Sequence, residues 1–279
     1  LSVLIVKKMI SISKYARPGA ASAPKYSVLR SSLCRATILA GIVLFYCISL
    51  VAGSADVDLL LYERNPWLMV IGSDSPVFAH YSDGLTIFRS GDGFKFLYLS
   101  DRESTGLMKR FSTVENMKDY YSLTLQSDQP TYELYVRKAG MEKRVNVYGS
   151  LDEADASRTA LPKSLAGNIH YLASFSRDNA ADWSPRYLEV MIWPYEHAAE
   201  DSIRWPKGFP DVSSPSTVKR SATSYSIYLP NSKQKKFVLF IKTLREKGTA
   251  LISGKKWAVS MRSPFPHEIA RNKALRTAK

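Results

Sequence analysis

Val77-Phe78-Ala79-His80-Tyr81-Ser82-Asp83-Gly84-Leu85-Thr86-Ile87-Phe88-Arg89 is the stretch on which the fold turns. Two apolar runs flank Asp83-Gly84, a strong short-range hairpin signal, because both central residues of a two-residue loop need φ > 0. Such a loop fixes the register, placing Tyr81 opposite Thr86 and His80 opposite Ile87. Gly91-Asp92-Gly93 then turns the chain into Phe94-Lys95-Phe96-Leu97-Tyr98-Leu99, so residues 77–99 read as antiparallel β structure.

Downstream, Ser100-Asp101-Arg102-Glu103 has capping-box spacing and predicts a helix that buries Leu107, Met108 and Phe111. Gly106 costs that helix about 1 kcal/mol relative to Ala, which predicts a short one. Three alternating strands follow, with Tyr121, Leu123 and Leu125 on one face, then Tyr132, Leu134 and Val136, then Val145 and Val147. They predict a meander with one solvated side. Residues 149–160 (GSLDEADASRTA) read as a polar linker, and Pro162 opens a helix with Leu165, Ile169, Leu172 and Ser176 along one stripe. Leu188, Val190 and Ile192 mark another strand, as do residues 225–229. Asn231 or Ser232 caps a helix running to Lys247, with Phe237, Phe240, Ile241 and Leu244 inward and a solvated basic back. A last hairpin turns at Ser253-Gly254 and puts Trp257, Val259 and Met261 on one face. The expectation is an α+β fold of antiparallel hairpins and a meander, with about three packed helices. It divides into a β-rich first half (56–150), a linker (151–160), a second half (161–265) containing a long 194–222 loop, and a basic tail (266–279).

Toward the N-terminus, residues 36–55 (ATILAGIVLFYCISLVAGSA) hold no charge and follow Arg30 and Arg35. A basic flank, an apolar run and the small-residue exit Gly53-Ser54-Ala55 form the layout of a signal peptide. Twenty such residues also reach the length of an uncleaved membrane anchor. In both cases the positive flank keeps the N-terminus cytoplasmic. Residues 1–55 are therefore expected to be a leader, and the body to be periplasmic or extracellular, free or anchored in the inner membrane. Leu44-Phe45-Tyr46 before Cys47 puts bulky rings where a lipidation site wants small residues. Seven of the 39 basic residues lie in the leader, so the body has 32 against 25 acidic residues, or +7 rather than +14. That is moderate, and it does not call for a nucleic-acid partner. Cys34 and Cys47 both fall in the leader, which leaves the body no disulfide, thiolate metal site or cysteine nucleophile.

No Gly-x-Ser-x-Gly elbow, Walker loop or dinucleotide fingerprint is present, and no cofactor or metal is expected. Of the four histidines, His80 and His170 sit on a predicted strand and helix, and His267 in the C-terminal exit. His197 lies in Tyr195-Glu196-His197-Ala198-Ala199-Glu200-Asp201, where a helix would put it on one face with Asp201, but nothing supplies a third ligand. The aromatic-proline segments Trp193-Pro194-Tyr195 and Trp205-Pro206-Lys207-Gly208-Phe209-Pro210 make Trp193, Tyr195, Trp205, Pro206 and Phe209 the candidate binding residues. Large rings on a restrained backbone suit a binding groove; the competing reading is a loop stapled to the body by its own rings. The run from Pro76-Val77-Phe78 to Tyr81-Ser82-Asp83-Gly84-Leu85, with Trp193-Pro194-Tyr195-Glu196, Trp205-Pro206 and Lys256-Trp257-Ala258-Val259, resembles segments of uncharacterised exported bacterial proteins. That resemblance spans residues 76–266 and implies export, but no activity and no site residue. The expected function is a non-catalytic envelope protein that binds a protein or ligand through the aromatic-proline loop, with membrane association through residues 36–55 and no nucleic acid. The alternative is an exported hydrolase with a site around Glu196, His197 and Asp201.

Overall fold

A computed structural model describes residues 56–151, 161–245 and 247–270. The leader, most of the expected linker (152–160) and the last nine residues of the tail lie outside the described residues. The first strand, β1 (Val57–Arg64), buries Leu59 and Leu61 on one side and Val57, Leu60 and Tyr62 on the other. A strand that is apolar on both faces belongs inside a sheet. β1 accordingly lies between β2 (Phe78–Tyr81) and β6 (Thr131–Lys138), antiparallel to both. β3 (Leu85–Ser90) and β4 (Gly93–Tyr98) continue the sheet on one side, and β7 (Met141–Tyr148) and β5 (Tyr120–Ser122) on the other. β8 (Ala181–Trp183) closes the β4 edge, giving the order β5-β7-β6-β1-β2-β3-β4-β8.

The central hairpin differs from the expected register by one residue: His80 pairs with Thr86 and Ala79 with Ile87. The loop has three residues, not two. Gly84 N–H closes a turn onto the Tyr81 carbonyl at 2.9 Å, and Gly84 alone takes a positive φ, +85°, with Asp83 remaining right-handed. This is the type I turn plus left-handed glycine that follows two-residue loops in frequency. Leu99 packs onto this turn: its N–H donates to the Gly84 carbonyl, and its own carbonyl oxygen lies 2.6 Å from where a Cβ on residue 84 would stand, so only glycine fits there. The slip also brings the His80 ring within 2.8 Å of Thr86 Oγ1 inside the core.

The expected meander is replaced by a mixed arrangement. β5 runs parallel to β7 at the sheet edge, and Leu125, expected on its buried face, is fully exposed beyond the strand. The capping box holds as expected, opening α1 (Asp101–Lys109). α2 (Lys163–Ala173), expected to begin the second half, instead packs on the first sheet through Leu165, Ile169 and Leu172.

The second sheet is β10 (Ser202–Arg204), β13 (Thr249–Ile252), β14 (Lys255–Arg262), β9 (Tyr187–Pro194), β12 (Tyr225–Pro230) and β11 (Thr217–Lys219), in that spatial order. Two of its strands, β10 and β11, come from the expected 194–222 loop. α3 (Gln234–Thr243) covers one face, burying Phe237 and Phe240 over Leu188, Val190, Ile192, Ile227 and Leu229. It is shorter than expected, and neither Asn231 nor Ser232 caps it; residues Asn231–Lys233 form a 3-10 turn instead. Residues expected to begin the tail form α4 (Pro266–Ala270).

The remaining faces of the two sheets look toward each other. Val70, Met191 and Ala258 pack together between them, and Ser73 Oγ donates to Ser260 Oγ at 2.7 Å. Phe265 is wholly buried among Val57, Leu60, Tyr81 and Ile87 of the first sheet. The layers therefore run α1/α2, first sheet, second sheet, α3, an α+β fold with two mixed sheets and four helices among the described residues. Among the described residues no helix is long and apolar enough to cross a membrane.

Candidate functional site

Strand alternation parts the five aromatic-proline residues. On β9, Leu188, Val190 and Ile192 point toward α3, so Trp193, and Tyr195 just beyond, fall on the inner face against Met69, Val70 and Met191. Trp205 and Phe209 lie on the outer side, where the Trp205 ring meets Phe209, Phe237 and Phe240 edge-on at 5.5 to 6.0 Å. Its indole N–H donates to the Pro210 carbonyl at 2.9 Å. These two rings staple the loop to the sheet. Pro206 lines an open groove of about 410 Å³ beside them, with Arg204, Lys207 and Ser253.

Glu196, His197 and Asp201 are exposed, and Glu200 next to them pairs with Arg245 at 3.0 Å. His80 is buried in the first sheet and His170 is exposed on α2, so neither joins them. No group of three or more metal-ligating side chains occurs among the described residues.

A cleft of about 420 Å³ opens instead between the two sheets. Tyr62, Arg64, Glu133, Tyr135, Arg144 and Asn146 line it from the first sheet; Arg220, Tyr228 and Arg262 line it from the second; His267 and Glu268 of α4 close one side. Its floor is a chain of charges. Glu189, with no exposed surface, accepts from Arg262 Nε at 2.8 Å, Arg220 Nη1 at 2.7 Å and Ser226 Oγ at 2.5 Å. Arg262 Nη1 reaches on to Glu268 at 2.6 Å, and Glu268 accepts from Tyr62 Oη at 2.9 Å and from the Phe265 N–H at 2.7 Å. One relay thus joins β9, β12, β14 and α4 to β1 of the other sheet. Beside it, Tyr81 Oη and His267 Nδ1 meet at 2.8 Å.

Burial and neighbouring charge pull against each other at Glu268, Tyr62 and Arg262. Burial works against charge on Glu268, but Arg262 and His267 beside it hold its carboxyl below the usual carboxylate range. Burial, reinforced by Glu268, pushes the Tyr62 phenol well up. Burial opposes the charge on Arg262 too, and Glu268 and Glu189 overcome it. These groups answer one another and are not available to a ligand.

The wall of β6 and β7 is different. Arg64 is taken up by Glu133 at 2.8 Å and lies over the Tyr62 ring. Arg144, exposed on β7, forms no ion pair among the described residues; its guanidinium stands 5.4 Å from the centroid of Tyr135, its partner in register. Asn146, two residues on, shares its face. Arg144 and the Asn146 amide thus present donors to the cleft, in a form suited to a carboxylate or a phosphate ester, while the Tyr135 hydroxyl is engaged by Glu142.

Sequence reading missed this site. A lone carboxylate inside Leu188-Glu189-Val190-Met191-Ile192 is a signal for a buried ion pair, but Arg262 lies 73 residues away and nothing local names it. Compared with protein-family models, with curated proteins and with solved structures, the chain matches none.

Proposed function

We propose that the chain is a non-catalytic binding protein of the cell envelope and that it holds a small organic anion in the cleft between its sheets. The observation that carries this reading is Arg144, a guanidinium on a cleft wall that forms no ion pair among the described residues, beside a tyrosine and an asparagine. The cleft volume, about 420 Å³, is that of a small-molecule site. A binding role is favoured over a chemical one because the acids of the cleft floor are tied to arginines, so none is poised to exchange a proton. The aromatic-proline loop supplies structure in this reading, since the Trp205 and Phe209 rings are spent on α3. The envelope setting rests on the basic, apolar leader.

Calorimetric titration of the full chain with citrate and with phenyl phosphate tests it. At least one should bind, and Arg144→Ala should weaken that binding by about tenfold or more, the worth of a charge-assisted hydrogen bond. Binding unchanged in Arg144→Ala, or no binding of any carboxylate or phosphate ester, would remove the cleft from consideration.

A further inference from the structure

Residues 202–256 hold 12 basic and two acidic residues, whereas residues 56–201 hold 15 basic and 22 acidic. One of those two acids, Asp211, is engaged by the Ser213 and Ser214 hydroxyls. Among the described residues, only Arg220 and Arg245 of the 12 cations form ion pairs. The excess gathers on the outer side of the second sheet, where α3 exposes Lys235, Lys236 and Lys242, and Arg204 and Lys207 line the groove alongside. The first turn of α3 has no acidic residue and no side-chain cap. Lysines there face the positive end of the helix dipole, so helix stability does not account for them. Lys235, Leu239 and Lys242 follow at i, i+4 and i+7 on one stripe. Leu239, 64% exposed, is the only large apolar side chain left open on this second half among the described residues.

We propose that the outer face of α3 docks on an anionic phospholipid bilayer, with Leu239 entering beneath the headgroups and the lysines around it bound to lipid phosphates. An apolar side chain ringed by long cationic ones is the arrangement of an interfacial helix, since lysine stems lie along apolar surface while their ends reach phosphate. A nucleic-acid duplex fits less well. It would set Leu239 against phosphates, and the rings nearest the patch, Trp205 and Phe209, are turned into the core and not offered to bases. This docking face is independent of the inter-sheet cleft.

The test is amide exchange of the full chain with vesicles of phosphatidylcholine alone or with phosphatidylglycerol added, read at residues 234–243 so that insertion of residues 36–55 does not interfere. Phosphatidylglycerol should slow exchange there and phosphatidylcholine should not. The K235E/K236E/K242E variant, altered only at exposed positions, should require at least about a hundredfold more anionic lipid for the same protection, and Leu239→Asn about fivefold more. Vesicle binding that leaves 234–243 unchanged would overturn the proposal. So would slowing by duplex DNA but not by phosphatidylglycerol.

Discussion

Removing the charge of Glu189 would leave Arg262 enclosed with one carboxylate where it now has two, and Arg220 with none. Breaking a buried ion pair from one side costs about 3–5 kcal/mol, because the surviving charge keeps its desolvation penalty. Glu189→Gln should therefore lower urea stability by about 3 kcal/mol, although it deletes no volume; a loss under about 1 kcal/mol would mean that water reaches the site. Arg144 should behave in the opposite way. It is exposed and forms no ion pair among the described residues, so Arg144→Ala should leave folding stability within about 0.5 kcal/mol of the parent while removing the anion response. Glu189 and Arg144 thus separate the fold from the proposed anion binding within one cleft.

Among the elements, what was legible followed from local signals. The capping box at Ser100 and Glu103, the stripes of α2 and α3, and the alternation of β6, β7 and β9 are short-range patterns, and each produced its element. The hairpin register was misjudged because the two-residue loop needs a positive φ at both Asp83 and Gly84, and only Gly84 takes one. β1 went unread because Leu59-Leu60-Leu61 has no period, as expected of a strand covered on both sides. β5 and β10 lie beside parallel partners distant in sequence, which no turn announces. The candidate site was less legible still: its walls come from opposite halves of the chain. α4 joins those halves, with Phe265 driven into the first sheet and Arg262 rooted in the second. Phe265→Ala should cost about 3–5 kcal/mol by calorimetry or urea titration, far more than a residue near the end of the fold would lose if it merely lay on the surface.

For the whole molecule, pH response follows from its buried titratable groups. Burial holds the His80 ring below its ordinary value of 6.5, against the opposing pull of Asp58 and Asp83. A base whose folded pKa is depressed contributes stability that is complete above its unfolded value and is lost as pH falls toward the folded one. Stability should therefore decline as pH drops below about 6.5, and this part of the decline should be absent from His80→Gln. Glu268, an acid with a depressed folded value, adds a second loss that begins below its ordinary 4.5. Asp74, buried and shifted upward, opposes that second loss, so the His80 step is the cleaner one to read. The division of charge between the halves does not enter these steps; it concerns what the protein meets, not how it folds.

The cleft reading is tested most directly by following backbone amide shifts of the full chain during a citrate titration. Saturable shifts should centre on Tyr135, Arg144 and Asn146, the β6–β7 wall, and vanish in Arg144→Ala. Shifts centred on residues 204–211 and 251–254, with the β6–β7 wall silent, would contradict it and return the ligand to the aromatic-proline groove.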